Sequence, residues 1–143
     1  MSDAGAWILL VGRLLFGAIF VNSAIFHVRK GGMAIGYAQS MRFPLPPLAA
    51  WPSGLWLLAG SLSIALGIWA DLGALMIGLF VVLAGAWFHR FWEIEDPEQR
   101  NTQRGNFWRN ATFLGAALAF FAIFATFGHD LPLTITDPLF DLR

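Results

Sequence analysis

Six residues set in or against long apolar runs are the places where this chain can do chemistry: Arg13, Asn22, His27, Trp56, His89 and Asn110. Ionisable groups at membrane depth are functional more often than those on a soluble surface. Arg13 lies about two turns into the first run. It shares a helix face with Gly17, Phe20, Ala24 and, roughly, His27, while Asn22 lies nearly opposite. A guanidinium there can bind an anionic or carbonyl group such as a quinone oxygen or a lipid phosphate. It can equally hydrogen-bond backbone carbonyls or snorkel to the interface with its stem buried. His27 and His89 end the first and third runs and Asn110 opens the fourth, which places the three at one level. Paired histidines can ligate haem or a metal, relay protons to a quinone, or line a headgroup site. A histidine at a helix C-terminus is also favoured by the dipole as an ordinary interfacial residue. Asn110 reads as a helix cap or an interhelical hydrogen-bonding group.

Other chemistry is excluded by composition. The chain contains no cysteine, so thiol exchange, iron–sulfur clusters, Cys-ligated zinc and c-type haem attachment are ruled out. Nine basic and nine acidic residues give a formal net charge of zero with no basic patch, which argues against nucleic acid as a partner. No catalytic residue, metal site or intrinsic cofactor is assigned; a bound quinone or lipid is the ligand class to expect.

The elements that must position these residues are four apolar runs, Ala6 to Phe26, Leu48 to Ala70, Leu72 to Phe88 and Ala111 to Phe127. A helix needs roughly 20 apolar residues to cross a bilayer, and the two middle runs contain no charge. The runs lack the alternation of barrel strands. The reading is an all-α, integral membrane four-helix bundle forming one transmembrane domain over 1–143, with spans at about 6–26, 48–70, 72–89 and 110–128. Trp7, Trp51, Trp69, Trp87, Trp92 and Trp108 fall near span ends, as interfacial indoles do, and Trp56 lies deeper. The first run lacks a basic n-region and carries Arg13, so it reads as a mature helix and not a signal peptide.

Arg29, Lys30 and Arg42 in the first loop, and Arg90, Arg100, Arg104 and Arg109 in the third, place loops 27–47 and 90–109 in the cytoplasm and both termini outside. Within the first loop Gly31-Gly32 should interrupt the chain, Met33 to Met41 suits a short interfacial helix, and Phe43-Pro44-Leu45-Pro46-Pro47 an extended re-entry. The segment Glu93 to Arg109 reads as a solvated loop, and the Pro132 to Arg143 tail as a solvated or partner-binding segment. Gly60 with Gly67, and Gly78 with Gly85, mark close-packing seams. Ala24-Ile25-Phe26-His27 and Ala86-Trp87-Phe88-His89 end corresponding helices, which allows two parallel helix-loop-helix repeats.

Several short motifs in order resemble the DoxX family of small bacterial and archaeal membrane proteins. They are Gly12-Arg13-Leu14-Leu15, Asn22-Ser23-Ala24, Gly36-Tyr37-Ala38 through Phe43-Pro44-Leu45-Pro46, Gly60 to Gly67, Phe88-His89 and Arg109-Asn110. The resemblance runs from about Leu9 to Phe127 and implies a bacterial inner-membrane protein in a quinone-linked redox neighbourhood. The family often carries an acidic residue where this chain has Leu57. Without that carboxylate Arg13 must find helix carbonyls, serines or a ligand.

Two function classes lead. The first is a non-catalytic accessory or structural subunit that packs against other membrane subunits or itself, with the lipid bilayer as its medium. The second is a membrane enzyme binding a quinone, isoprenoid or lipid, such as a component of a quinone oxidoreductase, which requires Arg13, Trp56, His27, His89 and Asn110 to converge on one cavity. A small transporter or channel is disfavoured, because only Arg13 offers charge at depth.

Overall fold

The computed structural model describes all residues, 1–143, and contains helices and turns with no strand. Helix α1 spans Asp3–Arg29 and opens at Ser2, whose hydroxyl accepts a hydrogen bond from the Gly5 amide at 3.2 Å. Lys30 closes α1 and at once opens α2, Gly31–Ser40. The short helix expected in the first loop is therefore present, but Gly31-Gly32 forms its first turn and does not separate it from α1. A 3-10 turn at Pro46–Ala49 leads into α3, Trp51–Leu66, and α4 follows over Ala70–Phe88.

Helix α5 runs unbroken from Pro97 to Phe127. The expected solvated loop from Glu93 to Arg109 is thus mostly helical, and Asn110 lies well inside a helix and caps nothing. Asp96 caps α5 by accepting from the Gln99 amide at 2.8 Å, and Pro97 occupies its first turn, where a missing N–H is harmless. This start signal outweighs the polarity of the segment, because polarity decides which helix face meets solvent, not whether the backbone coils.

Helix α1 packs on α3, α3 on α4 and α4 on α5. Phe16 and Phe20 of α1 meet Phe120 and Phe113 of α5 at ring separations of 5.2 and 5.3 Å, which brings the first and last helices together. The core between them is built from Phe20, Ala24, Leu57, Ile64, Ala74, Ile77 and Val81. At Gly17 the backbones of α1 and α3 approach so closely that a Cβ would lie 3.2 Å from the Ser61 carbonyl oxygen.

Helices α1, α4 and α5 are each long and apolar enough to cross a membrane. Helix α3 is apolar but has 16 residues, about 24 Å of rise against a hydrocarbon core of about 30 Å. It is shorter than its apolar run because prolines occupy the entry and Gly67 leaves the helix with φ +70°. Gly67 is accordingly a left-handed helix cap and not part of a packing seam. Large apolar side chains such as Ile8, Leu15, Leu79 and Leu118 point outward, as contact with lipid requires.

The C-terminal tail does not trail into solvent. Ile135 and Thr136 donate backbone amides to the Gly67 carbonyl at 2.9 and 3.1 Å, and Leu142 donates to Ala125 at 2.9 Å. The tail strap closes the end of the molecule where α3 stops and α4 begins.

Candidate functional site

Arg13 sits at that closed end, 1% exposed. The last carbonyls of α3 have no partner within their own helix and carry the negative end of its dipole. Arg13 supplies what they lack: Nε donates to Ile64 O at 2.8 Å and Nη2 to Ala65 O at 2.9 Å. Nη1 donates to Leu133 O in the tail at 2.8 Å, and the Phe124 ring lies 5.5 Å from Cζ. The planar fork, which lysine lacks, joins three chain segments at once. A Cβ on Gly67 would lie 2.7 Å from Nη2, so both the left-handed φ and the guanidinium demand glycine there.

Asp71, a residue that sequence reasoning passed over, completes this end. It stands in the first turn of α4 at 0% exposure, where the helix dipole favours a negative charge. Its Oδ2 accepts from the Leu139 and Phe140 amides, both at 2.7 Å, while Oδ1 has no partner. The tail therefore offers a carbonyl to the cation and amides to the anion. The available signal was a lone acid, Asp71, between two uncharged runs; its position at a run boundary made it look like mere punctuation.

The histidines tie helices together at the opposite end. His27 Nδ1 lies 2.6 Å from the Ala49 carbonyl, which can only accept, so Nδ1 carries the hydrogen. Ser53 Oγ is 2.7 Å from the same nitrogen and donates its own proton to Ala50 O at 2.9 Å. His89 Nδ1 meets Gln103 Oε1 at 2.7 Å. Each histidine thus reaches from the end of one helix to the next long helix. Asn110 is buried and back-bonds to Asn106 O within α5 at 3.0 Å. Trp56, 41% exposed, donates its indole N–H to Met76 O at 2.8 Å and pins α3 to α4. Asn22 is exposed on α1.

These six residues do not meet in one cavity: Arg13 lies at the tail end, His27 and His89 at the loop end, and each has partners within the chain. Leu57, the residue at which the chain departs from the acid the resemblance implies, is fully buried among apolar residues. No group of three or more His, Asp or Glu side chains is disposed to hold a metal ion.

A groove of about 1010 Å³ lies elsewhere, at the loop end between α2, the end of α4 and the start of α5. Tyr37, Trp87 and Phe88 form its aromatic wall, with Arg42, Arg90 and Glu98 among its charged lining. Tyr37 donates to Phe88 O at 3.1 Å, and burial pushes its phenol above the ordinary value while the Gln103 amide pulls it part of the way back.

A protein-family model, DoxX, matches residues 8–90, more than half of the chain. No curated protein and no solved structure matches.

Proposed function

The chain belongs to the DoxX family, and from that premise we propose that this multi-pass membrane protein is a non-catalytic accessory subunit packing against a larger membrane assembly. The observation that carries this reading is an exposed strip of small residues on α5, Thr112, Gly115, Ala119 and Ala122. Nothing lies within 4 Å of a Cβ built on Gly115. In a bilayer, where lipid tails are as apolar as leucine, helices associate through close backbone approach, which small residues permit.

In this reading four helices cross the inner membrane of a bacterium, with loops 27–47 and 90–109 in the cytoplasm and the termini outside. The host assembly is redox or quinone-linked. The buried Arg13 serves as the clasp that makes the small chain rigid enough to be a packing partner. The enzymatic alternative, a quinone-, isoprenoid- or lipid-transforming site, draws less support because its candidate residues are split between two ends of the molecule.

The absence of native cysteine makes the test direct. Gly115→Cys in native membranes is expected to crosslink in stoichiometric yield to one membrane subunit, while Leu83→Cys on the exposed face of α4 is not. Gly115→Trp should remove that subunit from gently solubilised material. Equal labelling at both positions, with a bare monomer by native mass spectrometry, would reject the accessory role.

A further inference from the structure

The loop-end groove holds charged side chains that nothing in the chain satisfies. Arg90 is braced, with Nε donating to Trp87 O at 3.2 Å, Nη1 to Glu93 Oε1 at 3.0 Å, and Cζ 5.9 Å from the Trp87 ring. Arg42 lines the same groove with no hydrogen-bond or ion-pair partner for its guanidinium, and Glu98 has none for its carboxylate. Glu93, paired with Arg90, and Asp96, which accepts from the Gln99 amide, line the recess as well, so the charged side chains left without a partner in it are the Arg42 cation and the Glu98 anion.

Three residues other than glycine have positive φ: Arg42 at 53°, Trp69 at 45° and Leu133 at 61°. Such a conformation is unfavourable in isolation and persists where the surroundings fix it. At the tail end the strained residues have visible uses, since Leu133 aims its carbonyl at Arg13 and the Trp69 amide donates to Thr136 Oγ1 at 2.8 Å. The left-handed φ of Arg42 has a local use too: it closes α2, with the Phe43 amide donating to Ala38 O and the Arg42 amide to Gln39 O, both at 2.9 Å, and this turn presents the Arg42 side chain to the groove without a partner.

We propose that this groove binds the phosphate-plus-ammonium headgroup of a zwitterionic phospholipid, with Arg42 and Arg90 on the phosphate and Glu98 on the ammonium. Charge-assisted hydrogen bonds to phosphate suit the arginine fork. An acid on the same recess distinguishes an ammonium-bearing headgroup from a purely anionic one, which it repels. The aromatic wall of Tyr37, Trp87 and Phe88 is of the kind found at headgroup depth, where rings meet acyl chains below and water above. A membrane lipid, not a soluble zwitterion, is therefore the occupant.

The test uses the full chain, purified in detergent and exchanged into nanodiscs containing equal parts phosphatidylethanolamine and phosphatidylglycerol, with retained lipid counted by native mass spectrometry. Phosphatidylethanolamine should be retained in preference. Arg42→Ala should reduce its retention about tenfold, the loss of one charged hydrogen-bonding group. Glu98→Gln should erase the preference between the two lipids while leaving total retention. Both residues are exposed, so the variants keep the wild-type melting temperature and report on binding alone. Retention of phosphatidylglycerol equal to or above phosphatidylethanolamine in the wild type would overturn the zwitterion. Displacement of the lipid by millimolar phosphoethanolamine would overturn the membrane source. Variants indistinguishable from wild type would remove the groove as the site.

Discussion

The two ends of this molecule treat charge in opposite ways. At the tail end Arg13 and Asp71 are both buried, and backbone groups of α3 and the tail bond the whole guanidinium and one oxygen of the carboxylate. At the loop end Arg42 and Glu98 are exposed and line a recess, and their charged side chains bond to nothing in the chain. A buried ion with an intramolecular partner stabilises a fold, because losing either member leaves an uncompensated group in a medium that cannot solvate it. An exposed ion without one contributes little to stability and remains available to a ligand. Burial of Arg13 and Asp71 is thus accounted for by ties within the chain.

The largest break in that comparison should come from Arg13→Ala. It leaves three carbonyls without donors in a low-dielectric end and is expected to destabilise by about 3 kcal/mol or more. The measurement is loss of monodispersity on heating in detergent, and a melting curve matching wild type would refute the clasp. Arg13→Lys should recover part of the loss, since an ammonium can reach one or two of the three acceptors but cannot span them as a fork.

Truncation after Asp130 removes the tail and with it one partner of Arg13 and both partners of Asp71. The α3 carbonyls keep their bonds to Arg13, so the expected cost is smaller, about 2 kcal/mol. If the tail is only a solvated appendage, its removal will leave thermal stability unchanged. Gly67→Ala follows at about 1 to 2 kcal/mol, because a Cβ there meets both Arg13 and Thr134 at 2.7 Å in a left-handed conformation. Ala substitution at Gly115, where a Cβ meets nothing, is the matched control and should be silent in the isolated protein.

Much of this contrast was visible in the residues, and the misses have physical causes. The helical membrane class follows from run length and missing charge, and the alternatives for Arg13 included backbone carbonyls, which the structure supplies. Identifying which carbonyls required knowing that α3 stops at Leu66, and that stop depends on a left-handed glycine whose φ periodicity does not encode. Asp71 was missed because a lone acid between two runs looks like a solvated turn until a distant tail covers it. The early start of α5 was legible in Asp96-Pro97-Glu98, a cap, a helix-compatible proline and an acid in the first turn. Polarity was weighed above that signal. The groove has no signature in sequence at all, because α2, the end of α4 and the start of α5 contribute its walls from separate stretches of chain.

A smaller effect reports on the loop end alone. Tyr37 is the one tyrosine in the chain, so tyrosinate absorbance reads a single group. Burial raises its phenol, meaning that the folded state favours the neutral form. The associated stability is complete below the unfolded value and is lost as pH rises through the folded one. Titration of the folded protein should therefore lag behind that of denatured protein in the alkaline range. Coincident curves would mean that Tyr37 is not packed against Phe88 and that the aromatic wall of the groove is open.

The smallest expected effect sharpens the comparison most. Arg42→Ala removes a full charge, as Arg13→Ala does, yet the side chain has no partner and lies exposed, so its melting temperature should match wild type within the equivalent of about 0.5 kcal/mol. Arg42→Gly goes further: it relieves a positive φ and should raise stability by up to about 1 kcal/mol, if the added freedom of the unfolded glycine does not cancel the gain. The left-handed backbone closes α2, a position glycine fills best, so a silent Arg42→Ala shows that the fold needs the turn there and not the guanidinium. Measured in detergent with lipid removed, a large destabilisation by Arg42→Ala would instead show that the loop end is clasped like the tail end, and the division between a structural end and a receptive one would collapse.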